Sequence, residues 1–288
     1  MTAAAPRAGG LLEFAARGLA LDTDLATPIL TGFIREELGK VGFDRAVVAL
    51  SGGIDSALVC ALAARALGPE NVLAVLMPYR TSSPDSRGDA EELVEELGVG
   101  STVVEITPMV EPYFRSQPEM SPVRQGNVMA RARMIVVYDH SVKFGGLVLG
   151  TSNKSELLLG YGTLFGDLAS AANPIGDLYK TQVRQMAVAF GIPAKIVQKP
   201  PSADLWVGQS DEEDLGFSYD WVDRILFLLF DERYPPAELI EAGVPAERVN
   251  RVYEMVRANQ FKRRPPIIAK ISERTIDRDF RYPRDWGR

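Results

Sequence analysis

Residues 46–60 read AVVALSGGIDSALVC and carry three structural signals in succession. The apolar run at 46–50 predicts a buried strand, and the two glycines that follow predict a sharp turn. From Asp55 the pattern predicts a helix over 55–67, which Gly68 and the proline after it bring to an end. A strand, a glycine turn and a helix in this order are typical of a nucleotide-binding α/β unit.

The glycine turn predicts a phosphate site and ATP chemistry. Adjacent glycines let backbone N–H groups approach an anion without interference from a Cβ atom, and the helix start adds its dipole. Asp55 would repel bound phosphates unless a divalent cation lay between them, so the sequence predicts Mg²⁺. The alternative is an ordinary glycine-rich turn. The segment does not match the G-x-x-x-x-G-K-[ST] loop of the usual nucleoside triphosphatases.

Composition limits the class of protein. The chain has 288 residues, a net charge of −6 and one cysteine. The length suits one large α/β domain or such a domain with a helical appendage, and the negative charge argues against a nucleic-acid partner. Cys60 excludes an intrachain disulfide. Residues 1–10 predict a disordered segment, and no apolar stretch predicts a membrane span or targeting signal, so we expect a cytoplasmic enzyme.

Helix and strand patterns alternate along the chain. They predict helices at 29–38, 85–97, 123–144 and 178–190, and strands at 72–77, 102–106 and 147–149. Apolar strands in this alternation indicate a doubly wound parallel sheet in an α/β fold, with helices dominating from Asp211 onward. We expect a single domain with an N-terminal lead-in at 1–25, a nucleotide-binding core at 26–205, and a helical C-terminal part with a basic tail at 206–288.

Several polar residues should meet at the carboxyl ends of the strands, where ligands bind in such sheets. Arg80 and Thr151 follow the second and fourth strands, near the glycine turn. Glu156 could supply a second carboxylate for Mg²⁺, or it could simply cap a helix. Lys180 lies at a helix start, where its positive charge opposes the helix dipole, and this position favours an anionic partner.

The helix predicted at 123–144 carries two arginines. Asn127, Arg131 and Met134 are spaced to share one face, and Arg133 should project away from Arg131. The arginines could solvate a surface helix, or they could clamp phosphates or a carboxylate.

Five motifs occur in the order found in NAD synthetases: SGGIDS at 51–56, NVMARARM at 127–134, GTSNKSE at 150–156, DLYKT at 177–181 and KPPSADL at 199–205. The chain resembles this family from about residue 30 to its C-terminus. The resemblance implies the adenine nucleotide α-hydrolase-like fold of the ATP pyrophosphatase superfamily. It also implies a reaction: deamido-NAD is adenylated by ATP, pyrophosphate leaves, and ammonia displaces AMP to give NAD.

The resemblance also implies roles for individual residues. We expect ATP to be bound by Ser51, Gly52, Gly53, Ile54, Asp55, Ser56, Arg80, Thr151, Lys180 and Ser202. We expect deamido-NAD to be bound by Arg131, Asp167, Phe261 and Lys262. Asp55 and Glu156 would coordinate Mg²⁺, and Asp55 and Lys180 would be the catalytic residues. The family is homodimeric, so a homodimer is expected.

The chain departs from the ammonia-using members at two positions. Leu164 and Ala171 stand where many of those members have a lysine and an aspartate that hold deamido-NAD. The segment GTLFGDL at 162–168 is more similar to the synthetase domain of glutamine-dependent enzymes. We expect free ammonia as the nitrogen donor. A synthetase subunit supplied by a separate glutaminase, or another adenylating amidotransferase with the same loop, is the alternative.

Two other classes fit less well. A non-catalytic nucleotide sensor would not need the two metal-binding carboxylates. A tRNA-modifying enzyme would usually need paired cysteines and a basic surface, and this chain has one cysteine and is acidic.

Overall fold

The computed structural model describes residues 8–202, 210–264 and 266–271. Four parallel strands form one sheet in the order β3-β2-β1-β4. The strands are β1 Ala46–Ala49, β2 Val72–Leu76, β3 Gly100–Val103 and β4 Leu147–Leu149. Val48 of β1 pairs with Ala74 on one side and Leu149 on the other. The strand order therefore reverses between β1 and β4, and the carboxyl ends of these strands lie side by side at the topological switch point.

Helices cover both faces of the sheet and form a further layer beyond it. Within the described residues they are α1 Ala8–Gly18, α2 Thr23–Lys40, α3 Ile54–Leu67, α4 Pro84–Leu97, α5 Thr107–Arg115, α6 Pro122–Phe144, α7 Lys154–Leu159, α8 Lys180–Ala189, α9 Ala194–Val197, α10 Asp211–Leu215, α11 Tyr219–Leu226, α12 Pro236–Glu241 and α13 Ala246–Ala258. Short 3-10 turns lie at Pro69–Asn71 and Gln260–Arg263, and a π-helical turn, Phe227–Asp231, continues α11. None of these helices is both long and apolar enough to cross a membrane.

The two faces of the sheet bury separate apolar clusters. Val48 packs in a cluster with α2, α3 and α8, whereas Val47 packs in another cluster with α5 and α6. Successive strand residues point to opposite faces, so a strand covered on both sides must be apolar throughout. The predicted doubly wound parallel sheet is thus confirmed.

A third cluster lies outside the sheet. It joins α1 and α7 to the C-terminal helices, with Leu11, Ala15 and Ile225 fully or almost fully buried. The apolar sequence around 218–230 is therefore explained by burial within the chain. The expectation of disorder up to residue 10 is wrong from Ala8 onward, because α1 uses its apolar face to complete this cluster. Residues 1–7 lie outside the described residues.

Some element boundaries differ from the prediction for local reasons. Helix α2 begins at Thr23 and not at 29, because the Asp22 carboxylate caps it by accepting bonds from the N–H groups of Asp24 at 3.1 Å and Leu25 at 3.0 Å. Strand β3 begins and ends earlier than the predicted 102–106. Helix α8 begins at Lys180, and the boundary expected at 205 lies outside the described residues.

Candidate active site

A cavity of about 690 Å³ opens at the switch point, above the carboxyl ends of β1 and β4. The segment after β1 and the segment after β4 both contribute to its wall, as the sheet topology requires. The predicted ATP-binding residues that line it are Ser51, Gly53, Asp55, Ser56, Thr151, Lys180 and Ser202. Residues 203–205 of the KPPSADL motif lie outside the described residues.

The glycine turn depends on one glycine more than on the other. Gly52 has φ of +79°, and a Cβ atom at this position would lie 2.0 Å from the backbone oxygen of Ser86. Gly53 has φ of −91°, and its nearest contact for a Cβ atom would be the Ser51 hydroxyl at 3.4 Å. Gly52 is therefore required by the close approach of two backbone segments.

Hydroxyl groups hold the turn in shape. The Ser56 hydroxyl donates to the Gly53 carbonyl at 3.0 Å and accepts from the Ser51 N–H at 3.2 Å. Helix α3 starts at Ile54 without a side-chain cap, so its first N–H groups are open to an anion. The Ile54 side chain is buried, and this residue could meet a phosphate only through its backbone.

A buried lysine lies between the two predicted metal-binding carboxylates. Lys180 Nζ is 2.5 Å from Asp55 Oδ2 and 3.2 Å from Glu156 Oε1. The Lys180 side chain is 3% exposed, and those of Asp55 and Glu156 are 16% and 14% exposed. The ammonium also lies 5.2 Å from the ring centre of Tyr219, which is a cation–π contact. Three groups predicted separately from sequence thus form one cluster.

Burial and neighbouring charges shift the pKa values of Lys180 and Glu156. Burial acts to lower the pKa of Lys180, but the Asp55 and Glu156 charges outweigh it, so the pKa lies above its ordinary value. The lysine is therefore a permanent cation at neutral pH. Burial raises the pKa of Glu156 even though Lys180 opposes this change. A further cation in the cavity would therefore stabilise Glu156 as an anion.

Asn153 connects the carboxylates and was missed by the sequence reasoning. Its side chain is fully buried, its amide donates to Asp55 Oδ1 at 2.9 Å, and its oxygen accepts from the Glu156 N–H at 3.0 Å. The Glu156 carboxylate in turn accepts from the Asn153 N–H, which completes a capping box at the start of α7. Glu156 therefore caps its helix and also faces the cavity, and its coordination of Mg²⁺ stays a prediction.

Arg80 lies apart from the cavity. Its Nε contacts Glu111 Oε1 at 2.7 Å and donates to the Tyr79 hydroxyl at 3.0 Å. The topology brings Arg80 to the expected edge of the sheet, but its side chain pairs with Glu111 of α5. Its assignment to ATP stays a prediction.

Two of the four predicted deamido-NAD residues line the cavity, namely Asp167 and Lys262. Lys262 Nζ donates to the carbonyls of Gly160 at 2.7 Å and Gly162 at 2.9 Å, and burial lowers its pKa. Phe261 is 60% exposed and lies outside the cavity wall.

The face that α6 presents to the cavity differs from the expected one. Asn127, Arg133 and Met134 line the cavity, whereas Arg131 does not. Arg133 Nε donates to the Met77 carbonyl at the end of β2 at 3.0 Å, and Arg131 Nε donates to a loop carbonyl at 3.3 Å. Arg133 thus projects away from Arg131, as expected, but it is Arg133 that lines the cavity with Asn127 and Met134, because spacing along a helix does not determine how the helix is rotated about its axis. The contact of Arg131 with deamido-NAD stays a prediction.

The C-terminal helices add polar groups to the cavity wall, and no sequence motif predicted these groups. Asp211 and Asp214 of α10 line the cavity, and the Tyr161 hydroxyl lies 3.0 Å from an oxygen of each, within reach of donating its one hydrogen to either. Leu164 and Ala171, the two departures noted in the sequence, are not among the lining residues. Within the described ranges, no group of three or more His, Cys, Asp or Glu residues could hold a metal ion on its own.

Comparisons with known proteins agree with this architecture. The family model described as NAD synthase matches residues 27–266. The NH(3)-dependent NAD(+) synthetase of Trichlorobacter lovleyi is 58% identical over 270 residues, which cover 94% of this chain and 99% of that protein.

Two solved structures are similar over most of the chain. The NH3-dependent NAD synthetase of Campylobacter jejuni has a TM-score of 0.74 and 34% identity, covering 87% of this chain and 100% of that one. A structure described as NMN synthetase from Francisella tularensis has a TM-score of 0.76 and 28% identity, covering 88% of this chain and 100% of that one.

Proposed function

The chain belongs to the NAD synthase family, and from this premise we propose that it amidates deamido-NAD to NAD with ATP and ammonia. It is a ligase that forms a C–N bond. The observation that carries the proposal is the Lys180 ammonium, held between Asp55 and Glu156 beside the glycine turn. A cation in this position would lie beside the phosphates of ATP bound at the turn.

The reaction has two steps. The nicotinate carboxylate of deamido-NAD attacks the α-phosphorus of ATP, the bond to the β-phosphate oxygen breaks, and pyrophosphate leaves. Ammonia then attacks the activated carbonyl carbon, and AMP leaves with the carboxylate oxygen. The protein supplies positions and charges and needs no nucleophile of its own.

The residues at the switch point fit the first step. The open N–H groups at the start of α3 and the hydroxyls of Ser51 and Ser56 would bind the phosphates. Lys180 would offset the negative charge that builds up on the leaving pyrophosphate. Thr151 and Ser202 face the same cavity and would contact ATP.

Mg²⁺ is part of the proposal. Mg²⁺ usually binds one or two carboxylates together with substrate phosphates, and Asp55 and Glu156 provide two carboxylates at the cavity wall. Burial raises the pKa of Glu156, so a bound cation would stabilise its ionised form. When bound, the ion would neutralise phosphate charge.

Deamido-NAD would occupy the part of the cavity near Asp167 and Lys262. Arg133 adds a cationic side chain to the wall on the α6 side. Arg131 and Phe261 stay predicted contacts, reachable by a ligand that extends beyond the cavity or across a homodimer. The homodimer and the cytoplasmic location are inferences from the family and from composition.

The proposal is tested by following NAD, AMP and pyrophosphate from the purified chain with ATP, Mg²⁺ and deamido-NAD. Ammonium and glutamine are supplied in separate reactions. We expect the three products in equal amounts with ammonium and none with glutamine. If no product forms with either nitrogen donor, the result contradicts free ammonia as the donor. It then favours a separate glutaminase subunit or another acyl substrate.

A parallel reaction replaces deamido-NAD with nicotinate mononucleotide, because of the similarity to the NMN synthetase structure. We expect kcat/KM for deamido-NAD to exceed that for the mononucleotide. The reverse order would identify the mononucleotide as the substrate while leaving the amidation chemistry in place.

A further inference from the structure

A buried carboxylate outside the cavity joins the helices that carry Lys180 and Glu156. Asp223 lies on α11 and is fully buried. Its Oδ1 accepts from the Ser155 hydroxyl at 2.5 Å, and its Oδ2 accepts from the Thr181 N–H at 2.9 Å. The Ser155 hydroxyl oxygen accepts from the backbone N–H of Lys180 at 2.9 Å. These bonds connect α7, α8 and α11 through one carboxylate.

The bonds offset two unfavourable features at the start of α8. The first N–H groups of a helix have no partner within the helix, and a cation at this end opposes the helix dipole. Asp223 and Ser155 satisfy the N–H groups of Lys180 and Thr181, and the carboxylate places a negative charge beside the helix start. Lys180 can therefore occupy the first position of α8 with its ammonium turned to the site.

The same bonds set the distance between the two charged groups of the site. Ser155 directly precedes Glu156 on α7, and Thr181 directly follows Lys180 on α8. A carboxylate that holds both neighbours holds both helix starts, and the ammonium and the Glu156 carboxylate lie 3.2 Å apart. A change at Asp223 would move one helix start relative to the other.

We propose that Asp223 is a positioning residue for adenylation, which aims Lys180 at the phosphates through the Ser155 and Thr181 bonds. It does not touch the cavity. The role rests on the proposed function, since adenylation is the step that needs the aimed ammonium. An ionised carboxylate accepts both bonds, whereas an amide has one oxygen. With that oxygen on the Thr181 N–H, the NH₂ group faces Ser155, whose hydroxyl must then accept where it donated.

The test compares Asp223→Asn with Asp220→Asn. Asp220 lies on the same helix, is exposed and makes only a 3.8 Å contact with Arg224 among its ion pairs within the described residues. For Asp223→Asn we expect kcat for pyrophosphate release to fall about 10- to 100-fold, the effect of misplacing a catalytic group by about 1 Å. We expect KM for deamido-NAD to change less than about twofold, since uniform substrate binding is untouched. Asp220→Asn should match the unmodified chain.

A double variant separates positioning from general stability. In a chain that already carries Lys180→Met, Asp223→Asn should cause no further loss of pyrophosphate release in single-turnover experiments, because there is no ammonium left to aim. The same fold loss in both backgrounds would overturn the positioning role. Ser155→Ala, which keeps the Asp223–Thr181 bond, should show the same pattern with a smaller loss, and it carries the test if Asp223→Asn does not fold.

Crystal structures complete the test and are independent of activity. The distance between Lys180 Nζ and Glu156 Oε1 should change by about 1 Å in Asp223→Asn. An unchanged distance would overturn the inference. If the unmodified chain releases no pyrophosphate with deamido-NAD, the proposed function fails, and the distance still decides whether Asp223 positions the lysine.

Discussion

Replacing Gly52 with alanine tests whether it differs from the adjacent Gly53, which is equivalent to it in the sequence motif. At Gly52 the φ of +79° costs an alanine about 1–2 kcal/mol. The new Cβ would also lie 2.0 Å from the Ser86 backbone oxygen, where contacts below 3.0 Å essentially never occur. Neither atom belongs to a flexible side chain, so the turn and the start of α4 must separate by about 1 Å, a strain of about 1–3 kcal/mol.

We therefore expect Gly52→Ala to lower the free energy of unfolding by about 2–5 kcal/mol. A displacement of the turn by about 1 Å should also reduce the rate of pyrophosphate release about 100-fold. Urea unfolding followed by circular dichroism measures the first effect, and release of labelled pyrophosphate from ATP measures the second.

Gly53→Ala is the matched control for stability. Its φ of −91° suits any residue, and its Cβ would contact only the Ser51 hydroxyl at 3.4 Å. We expect the free energy of unfolding to stay within about 1 kcal/mol of the unmodified chain. Equal destabilisation by the two substitutions, or an unaffected Gly52→Ala variant, would refute the argument from the Ser86 contact.

Three further changes test other parts of the structure. Asp55→Asn should keep the far-ultraviolet circular dichroism spectrum and lose pyrophosphate release through weaker Mg²⁺ binding, and release at the unmodified rate would remove Asp55 from its assigned role. Burial raises the pKa of Asp223 from 3.8 to about 6, so its carboxyl keeps a proton in the folded chain after the unfolded chain has lost it. Relative to Asp223→Asn, the free energy of unfolding should therefore fall as the pH rises from about 4 to about 6, by up to about 3 kcal/mol, and urea titrations that show no difference in slope would contradict this. Arg263→Ala should lower the free energy of unfolding by about 2 kcal/mol in urea titrations, because the Arg263 guanidinium donates to three backbone carbonyls. The neighbouring Arg264 is exposed, so Arg264→Ala should lower it by less than about 0.5 kcal/mol. Equal losses in the two variants would count against a contribution from these bonds.

Sequence patterns were enough to infer the sheet and the edge of the sheet where a site is expected. A strand buried on both faces must be apolar at every position, so runs such as Ala46–Leu50 identify parallel strands without knowledge of their neighbours. Parallel strands bring their carboxyl ends to one edge, which is why Ser51 and Thr151 could be expected near each other. The assignment of Asp55, Glu156 and Lys180 to one site, with 125 residues between the first and the last, came from the resemblance of their motifs to those of NAD synthetases.

Which side chains of those segments face the cavity, and which bonds hold them there, depends on how the whole chain packs. The rotation of α6 about its axis turns Arg133 and not Arg131 to the site, and that rotation is set by packing against the sheet. Asn153 and Asp223 act through bonds to groups 98 and 42 residues away along the chain. A polar residue with such distant partners has no local pattern, because its surroundings exist only after the core has formed.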